Sequence, residues 1–365
     1  MPERRITFVP RITALLSSSA ASAAWIVIPL YAKQMGASNF TIGIIGMVYG
    51  SLYFISSYVF GNLADRFCRK KILIGGLLLS SFAFFLQIFA KNPTHLIMAR
   101  AFCGFSAGLY PPSLISYVVD SKRPLGKFSS YLSLGWALGS YIAGVVGSAY
   151  GAFIASSALY TLAFLLSLLL PRSPQERVRL PLFPRHIIRR NLNVYLSYLV
   201  RHTGAHSVWI IFPILLSQYG ITMYQIGIIF ATNSIMQFIF MQISDRFRPR
   251  PLIITGFSFT ALTFLIMYLS ASFPMFMLSS ITLGISWGSL YSGSIRYIAE
   301  INREIGTASG MLQSVISLAA VIGPFIGGTI SQKLFLKASV IYAMVSAVVA
   351  LLIFVSLEKY AHSSK

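Results

Sequence analysis

Apolar runs of about twenty residues, each long enough to cross roughly 30 Å of hydrocarbon as a helix, recur along the 365-residue chain. Inside a bilayer the backbone must satisfy its own hydrogen bonds, so only helices and closed barrels span it. The runs lack the apolar–polar alternation of a barrel strand. Hydrophobic residues make up 56% of the chain and charged residues 10%. The sequence therefore predicts an all-α polytopic membrane protein.

Twelve spans are predicted, and an even number of crossings places both termini on one side. Basic loops are retained in the cytoplasm, and the side opposite the termini carries only Lys33, Lys91, Lys333 and Lys337 of the 29 Lys and Arg residues. We therefore expect a multi-pass protein of the cell membrane with both termini cytoplasmic. The spans lie at about 12–32, 41–61, 72–90, 95–119, 127–147, 152–170, 194–217, 223–242, 252–270, 275–298, 307–330 and 338–357.

The net charge of +21 indicates contact with anionic lipid headgroups. It does not indicate nucleic-acid binding, because the sequence contains no soluble basic domain. Neither a phosphate-binding loop nor a nucleophile–base arrangement is recognisable in the sequence. We therefore predict neither an enzyme nor a bound cofactor.

The chain repeats itself once. WIVIPLYAKQMGASNFTIGII (25–45) aligns with WIIFPILLSQYGITMYQIGII (209–229), and ADRF (64–67) with SDRF (244–247). The predicted domains are 1–170, a basic cytoplasmic linker at 171–193, and 194–365. Two parallel six-span halves predict bundles that rock about a site near the membrane midplane, which is alternating-access transport.

Three short motifs resemble signatures of the major facilitator superfamily. GNLADRFCRKK (61–71) is similar to its loop between spans 2 and 3, although Cys68 stands where glycine is usual. RAFCG (100–104) is similar to the signature of span 4, and GPFIGG (323–328) resembles a motif that the family's antiporters carry in span 5. The resemblance covers essentially the whole chain. It implies twelve helices in two six-helix bundles related by a pseudo-two-fold axis.

The resemblance also implies a gate on the cytoplasmic side. Asp65 would meet the amino-terminal end of span 11 near Gly306, where free backbone N–H groups attract a carboxylate. Arg66 or Arg69 would pair with Asp120 at the end of span 4. The alternative is that these charges only anchor the topology.

The second half contributes its own candidates to this gate. Asp245 occupies the repeated loop element, and Arg296 and Glu300 lie one turn apart on one helix face. The spacing predicts an ion pair between Arg296 and Glu300 near the cytoplasmic end of span 10.

Small residues at four-residue spacing predict close packing of helices. Bending points near the interface of the halves are the alternative interpretation, because a proline removes a helix hydrogen bond. The candidates are Gly104, Gly108, Gly139, Gly144, Gly323, Pro324, Gly327 and Gly328.

Ionisable side chains at membrane depth are costly and indicate function. No acidic residue lies there, whereas Arg100, Arg201, His202 and His206 do. A basic cluster without acids suits an anionic substrate, and a histidine with its ordinary pKa of about 6.5 could carry a proton. The alternatives are an interior polar network for the span-7 cluster and a snorkelling role for Arg100.

Further lining of the cavity is predicted around this cluster. Two histidines four residues apart resemble half a metal site, but without a third ligand we predict no metal. The remaining lining candidates are Trp209, Tyr291, Tyr53, Tyr110, Tyr141, Asn233, Gln237, Trp287 and Gln313.

We therefore predict a monomeric, proton-coupled secondary transporter of a small organic anion. Its partners would be that solute, a proton or other coupling ion, and membrane lipids. An antiporter that exports drugs or hydrophobic compounds is the alternative, favoured by GPFIGG and 28 Phe residues. A sensor built on a transporter fold is a third interpretation.

Overall fold

The computed structural model describes residues 2–66, 69–120, 125–170, 185–302 and 304–363. Within these ranges, side chains at 2–7, 62, 64–66, 119–120, 125–127, 129, 245, 305–306 and 358–363 fall outside the description. The described chain is helical, with short 3-10 turns at Gln87–Phe89 and Ser244–Arg246. Its helices are α1 (Pro2–Gln34), α2 (Asn39–Arg66), α3 (Arg69–Leu86), α4 (Pro93–Asp120), α5 (Leu125–Val146), α6 (Ala149–Leu168), α7 (Arg185–Arg190), α8 (Leu192–Trp209), α9 (Phe212–Gln218), α10 (Met223–Ile243), α11 (Pro249–Leu269), α12 (Phe273–Ile301), α13 (Ile305–Lys333) and α14 (Leu336–Ser363).

The helices form two bundles with the same internal contacts. In the first bundle α1 packs against α5 and α6, α2 against α4, and α3 against α4 and α6. In the second, α8 packs against α13 and α14, α10 against α12, and α11 against α12 and α14. These contacts correspond one to one under the sequence repeat. Both bundles are therefore copies of one six-helix arrangement.

Glycines occupy equivalent close contacts in both bundles. At each position a Cβ atom would strike or crowd an atom of the neighbouring helix, in most cases a backbone carbonyl. Helices packed this closely gain van der Waals contact that larger residues would prevent. The equivalent pairs are Gly104–Tyr49 and Gly284–Asn233, Gly108–Tyr53 and Gly288–Gln237, Gly76–Tyr110 and Gly256–Leu290, and Gly139–Ser19 and Gly323–Thr203.

Length and hydropathy identify most of the crossings directly. Among the described residues, nine helices are long and apolar enough to span a membrane, and the bent pair α8–α9 provides a tenth. Helices α4 and α5 complete the predicted twelve. Helix α4 carries the buried Arg100, and the apolar part of α5 that is described covers only Ser130–Val146.

Span 7 differs from its repeat partner, span 1. It consists of α8 and α9, which meet at an angle of 43°, whereas α1 is one helix that continues through Pro29. Both spans contain the same Trp-x-x-x-Pro pattern, so this pattern alone does not produce the break. The Ile210 side chain at the break reaches Gly46 of α2, which places the break against the first bundle.

The two bundles meet through α2 with α13 and through α5 with α10. Gly43 and Gly46 of α2 face Gly328 and Pro324 of α13, and Gly50 faces the Ala320 carbonyl. These positions lie on the side opposite the termini, which we call the far side. The Asn39 side chain also donates there to the Ser331 carbonyl at 3.2 Å. The backbones of the two bundles are therefore in direct contact at the far side.

Candidate functional site

Aromatic side chains on the inner face of α2 form the first part of the site. Tyr49 and Tyr53 stack with ring centroids 6.2 Å apart. Tyr53 and the exposed Ile55 are two residues apart, which is about 200° around a helix. Tyr53 therefore faces away from the lipid, yet it is still partly exposed. It must border the space between the bundles.

Arg100 lies directly behind this aromatic pair. Its guanidinium carbon is 3.9 Å from the centroid of Tyr49 and 5.8 Å from that of Trp25. Its Nη1 donates to Gln87 Oε1 at 3.4 Å, while its Nε is buried without a hydrogen-bond partner among the described residues. The side chain is 1% exposed. Ring faces, rather than a carboxylate, therefore stabilise this cation.

The second bundle presents an equivalent aromatic pair from α12. Trp287 and Tyr291 stack at 5.8 Å between ring centroids. The exposed Leu278 precedes Trp287 by nine residues, about two and a half helical turns, so the two side chains point in opposite directions. Trp287 is nevertheless partly exposed. Stacked aromatic pairs thus border the central space from both bundles.

Arg201 points into the interior of the second bundle. Its Nε donates to Thr260 Oγ1 at 3.1 Å and its Nη2 to Ser286 Oγ at 3.4 Å. Its guanidinium lies 5.5 Å from the Trp287 ring centroid, and the side chain is 2% exposed. The arginine is therefore held between α8, α11 and α12, behind the aromatic ring. Its predicted contact with substrate stays a prediction.

The two histidines of α8 have different surroundings. His202 stacks on Tyr198 with ring centroids 4.8 Å apart and meets the edge of Trp287, also at 4.8 Å. His206 is partly exposed, and its Nδ1 is buried without a hydrogen-bond partner among the described residues. The two histidine rings are 6.3 Å apart. No group of three possible metal ligands occurs in the described part of the chain.

The remaining predicted lining residues are distributed around these pairs. On α10, Gln237 Nε2 donates to Asn233 Oδ1 at 2.7 Å, and Asn233 Nδ2 is buried without a hydrogen-bond partner in the described structure. Trp209 packs against Phe230 at 5.8 Å between ring centroids. Tyr110 bonds to Tyr160 within the first bundle and lies near Tyr49 and Tyr53, whereas Tyr141 and Gln313 are exposed.

The predicted gate lies mostly outside the described side chains. Helix α2 ends at Arg66 and α4 at Asp120, which brings the backbone of both to the termini side. The side chains of Asp65, Arg66, Asp120 and Asp245, and the surroundings of Gly306, fall outside the description. Arg69 is buried at the start of α3. The gate stays a prediction.

Arg296 does not form the predicted pair with Glu300. Its Nη1 donates to the carbonyl oxygens of Ser244 at 3.0 Å and Phe247 at 2.8 Å, while Glu300 is exposed. Both carbonyls lie beyond the end of α10 at Ile243 and accept from the guanidinium, and that of Ser244 also accepts from the Phe247 N–H group at 3.1 Å. Arg296 therefore links α12 to the loop after α10 by hydrogen bonds.

The predicted glycine positions all lie at close helix contacts. Gly104 and Gly108 pack against α2, Gly139 against α1, and Gly323 and Gly327 against α8. Gly144 and Gly328 lie between the bundles, against Gly227 and Gly43 respectively. Close packing is thus observed at these positions. A bending role for Pro324, which lies inside the continuous α13, stays a prediction.

Sequence reasoning missed Tyr49, Gln87 and the amide pair Asn191–Asn302. The two amides exchange hydrogen bonds at 3.0 and 2.9 Å and join the start of α8 to the end of α12. Tyr49 could have been found from its four-residue spacing to Tyr53. Nothing local in the sequence indicates the other contacts.

The comparison with known families fits this arrangement over nearly the whole chain. The sequence profile of the Major Facilitator Superfamily matches residues 12–192 and 194–365. The chain belongs to the Major Facilitator Superfamily. The boundary between the two matches falls within the predicted linker. As a superfamily member, the chain is a multi-pass membrane protein of a transporter family.

Individual members of the superfamily share only a modest fraction of their sequence with this chain. Multidrug resistance protein 1 of Bacillus subtilis (strain 168) is 25% identical over 324 residues, which is 83% of each chain. Quinolone resistance protein NorA of Staphylococcus aureus is 28% identical over 158 residues, or 41% of each chain. A solved bacterial homologue of the human lysosomal transporter Spinster has a TM-score of 0.81 at 14% identity, covering 98% of this chain and 97% of that one. The structural likeness shows a shared fold.

Proposed function

We propose that this chain exports hydrophobic aromatic compounds across the cell membrane in exchange for protons. It would work as a monomer by alternating access, with both termini in the cytoplasm. The observation that carries the proposal is the pair of aromatic stacks, Tyr49–Tyr53 and Trp287–Tyr291, on opposite sides of the central space. The similarity to Multidrug resistance protein 1 supports the same substrate class.

The positions of the two arginines favour aromatic over small anionic substrates. Arg100 lies against Tyr49 and Arg201 is hydrogen-bonded inside its bundle. A small anion in the central space would therefore meet ring faces before it met either guanidinium. An aromatic solute would stack on those rings, which is worth about 0.5–1.5 kcal/mol per pair.

Transport by reconstituted vesicles with an imposed pH gradient tests the proposal. A fluorescent aromatic dye and a quinolone serve as probes. Because 1.4 kcal/mol is a tenfold change in binding, replacement of one stacking ring by leucine should weaken apparent affinity by roughly threefold to tenfold. We expect this of Tyr53→Leu and Trp287→Leu.

Phe82→Leu is the matched control, because Phe82 is 56% exposed on α3. It should leave the transport of both probes unchanged. Unchanged affinity in Tyr53→Leu and Trp287→Leu, or an equal loss in Phe82→Leu, would contradict the aromatic site.

Export or uptake of a small organic anion is the second candidate. Two buried guanidinium groups, without a carboxylate near them among the described residues, favour it. Arg201→Gln should then abolish transport of small carboxylates and spare that of neutral aromatic probes. Carboxylate transport that survives this substitution would exclude Arg201 as the anion-binding group.

A further inference from the structure

The hydrogen bonds of His202 determine which of its nitrogens carries a hydrogen. Nδ1 lies 3.1 Å from the Tyr198 carbonyl oxygen. A carbonyl oxygen only accepts, so Nδ1 must be the donor and Nε2 must hold the lone pair. Arg201 Nη1, 3.4 Å from Nε2, donates to that lone pair.

This arrangement keeps His202 neutral. A proton added at Nε2 would point an N–H group at the N–H groups of Arg201, with no acceptor between them. The two positive charges would then lie 3.4 Å apart, away from water, where their repulsion is strong. His202 is therefore a fixed acceptor for Arg201.

His206 lies one helical turn further along α8, and its ring is not held by hydrogen bonds of this kind. Its Nδ1 is buried and without a hydrogen-bond partner among the described residues, while part of the ring is exposed. It is five residues from Arg201, about 140° around the helix axis. The ring therefore points away from Arg201 itself, while it stays 6.3 Å from the His202 ring.

The equivalent position in the first bundle makes hydrogen bonds that His206 Nδ1 does not make among the described residues. The counterpart in the first bundle is Ser22, whose hydroxyl donates to the Trp136 carbonyl at 2.9 Å and lies 2.9 Å from Ser140 Oγ. In the second bundle the residue equivalent to Ser140 is Pro324, which offers no hydroxyl. Where the first bundle joins two helices by a hydroxyl pair, the second presents an imidazole nitrogen that has no partner in the described part of the chain.

Few ionisable groups among the described residues surround His206. Its own helix supplies His202, whose ring is 6.3 Å away, and Arg201 next to it. Helix α12 presents Trp287 to His202. Helix α13 packs its Gly323 against the His206 Cβ and has no ionisable residue between 307 and 332. Helix α14 faces the neighbouring Gly204 with Ser346. None of these groups would compensate a positive charge on His206.

We propose that His206 is the site where the proton that drives transport binds, and that Arg201, held by the neutral His202, supplies a fixed positive charge near it. In each cycle a proton from water on the far side forms an N–H bond on the imidazole ring. The same proton returns to water when the site opens to the termini side, and Arg201 favours that release by repulsion. This inference rests on the proposed function and deepens it.

Vesicle transport separates proton coupling from substrate binding. His206→Gln keeps hydrogen-bonding capacity but cannot carry the proton. We expect it to lower transport driven by a pH gradient at least tenfold, while exchange of labelled for unlabelled aromatic dye without a gradient continues and becomes independent of pH. His95→Gln, an exposed histidine at the start of α4, is the control and should retain gradient-driven transport. Normal gradient-driven transport in His206→Gln, or an equal loss in His95→Gln, would overturn the proposal.

A second measurement needs no substrate, so it stays informative if the proposed substrates are wrong. Nitrogen-15 spectra of the five histidines in the purified full chain report protonation of each ring, and His206→Gln and His202→Gln assign the two signals. We expect the His206 signal to move with pH and the His202 signal to keep the Nδ1–H form. A His206 signal that does not move between about pH 4 and pH 9, or a His202 signal that does, would refute the assignment whatever the vesicles transport.

Discussion

The two bundles share a scaffold and differ in the polar groups built into it. Gly139 and Gly323 occupy the same contact in each bundle, and so do Gly104 and Gly284. The buried arginines are not shared: the counterpart of Arg201 is Ser17. Backbone packing has therefore been kept in both copies, while the charged side chains are different.

The same contrast appears at the far ends of α3 and α11. In the first bundle, the Tyr31 hydroxyl donates to the Ala90 carbonyl at 2.9 Å. In the second, Lys337 Nζ donates to the carbonyls of Tyr268 and Ser270 at 2.7 and 3.0 Å. Carbonyls at a helix end need a donor from elsewhere, and the two bundles meet this need with different residues.

The largest expected effect tests the shared scaffold. Gly139→Val and Gly323→Val would each push a side chain into the backbone of the neighbouring helix, against Ser19 and Thr203 respectively. Overpacking of this kind costs typically about 1–3 kcal/mol. We expect both variants to lower the thermal unfolding temperature in detergent by similar amounts.

The control for this pair is Gly75→Val. A Cβ atom at Gly75 would have no neighbour within 4 Å, so only the intrinsic helix preference changes. Its unfolding temperature should stay near that of the unmodified chain. The two contacts would not be equivalent if Gly139→Val and Gly323→Val lowered the unfolding temperature by amounts that differ several-fold.

A smaller effect on stability distinguishes Tyr31 and Lys337, the two side chains that donate to helix-end carbonyls on the far side. Tyr31→Phe leaves the buried Ala90 carbonyl without a donor, which costs about 1–3 kcal/mol. Lys337→Met frees two carbonyls, of which that of Tyr268 stays within reach of water because Tyr268 is 37% exposed, whereas Ser270 is buried. We expect a loss of about 0.5–1.5 kcal/mol there.

Denaturant unfolding measures the loss in free energy of unfolding for Tyr31→Phe and for Lys337→Met. Tyr150→Phe serves as the control, because it keeps the ring beside Tyr31 and removes only a hydroxyl 3.4 Å away. A larger loss in Lys337→Met than in Tyr31→Phe would show that burial does not decide the cost of these caps.

The repeated scaffold could be predicted from the sequence because it depends on local spacing. The apolar runs and the sequence repeat predicted two six-helix bundles, and the glycines predicted close helix packing. The positive φ angles of Gly36 and Gly220, 82° and 70°, occur at equivalent loops. These features need only a helical period and an offset between copies.

The site was harder to predict because its contacts join helices distant in sequence. The spacing of Arg296 and Glu300 predicted an ion pair, but the carbonyls of Ser244 and Phe247 were closer partners. Arg201 was recognised as buried, yet its contact with Thr260 depends on how α8 meets α11. A local pattern therefore identified the polar residues without identifying their partners.

The smallest expected effect concerns the break in span 7. Pro213 lies in the first turn of α9, where its missing N–H group would have no helical partner in any case. Pro29 lies inside α1, where the missing N–H group deprives the Trp25 carbonyl of a bond. Pro213→Ala should change stability by less than about 0.5 kcal/mol, and Pro29→Ala should stabilise by about 1 kcal/mol.

Hydrogen exchange across residues 205–218 shows whether the break itself persists. We expect the Pro213→Ala variant to keep the fast exchange of a helix end at Phe212, because the Ile210 side chain still packs against Gly46 of the other bundle. Slow exchange throughout that segment would mean that the proline alone makes the break. The difference between spans 1 and 7 would then reside in their sequences and not in the contact between the bundles.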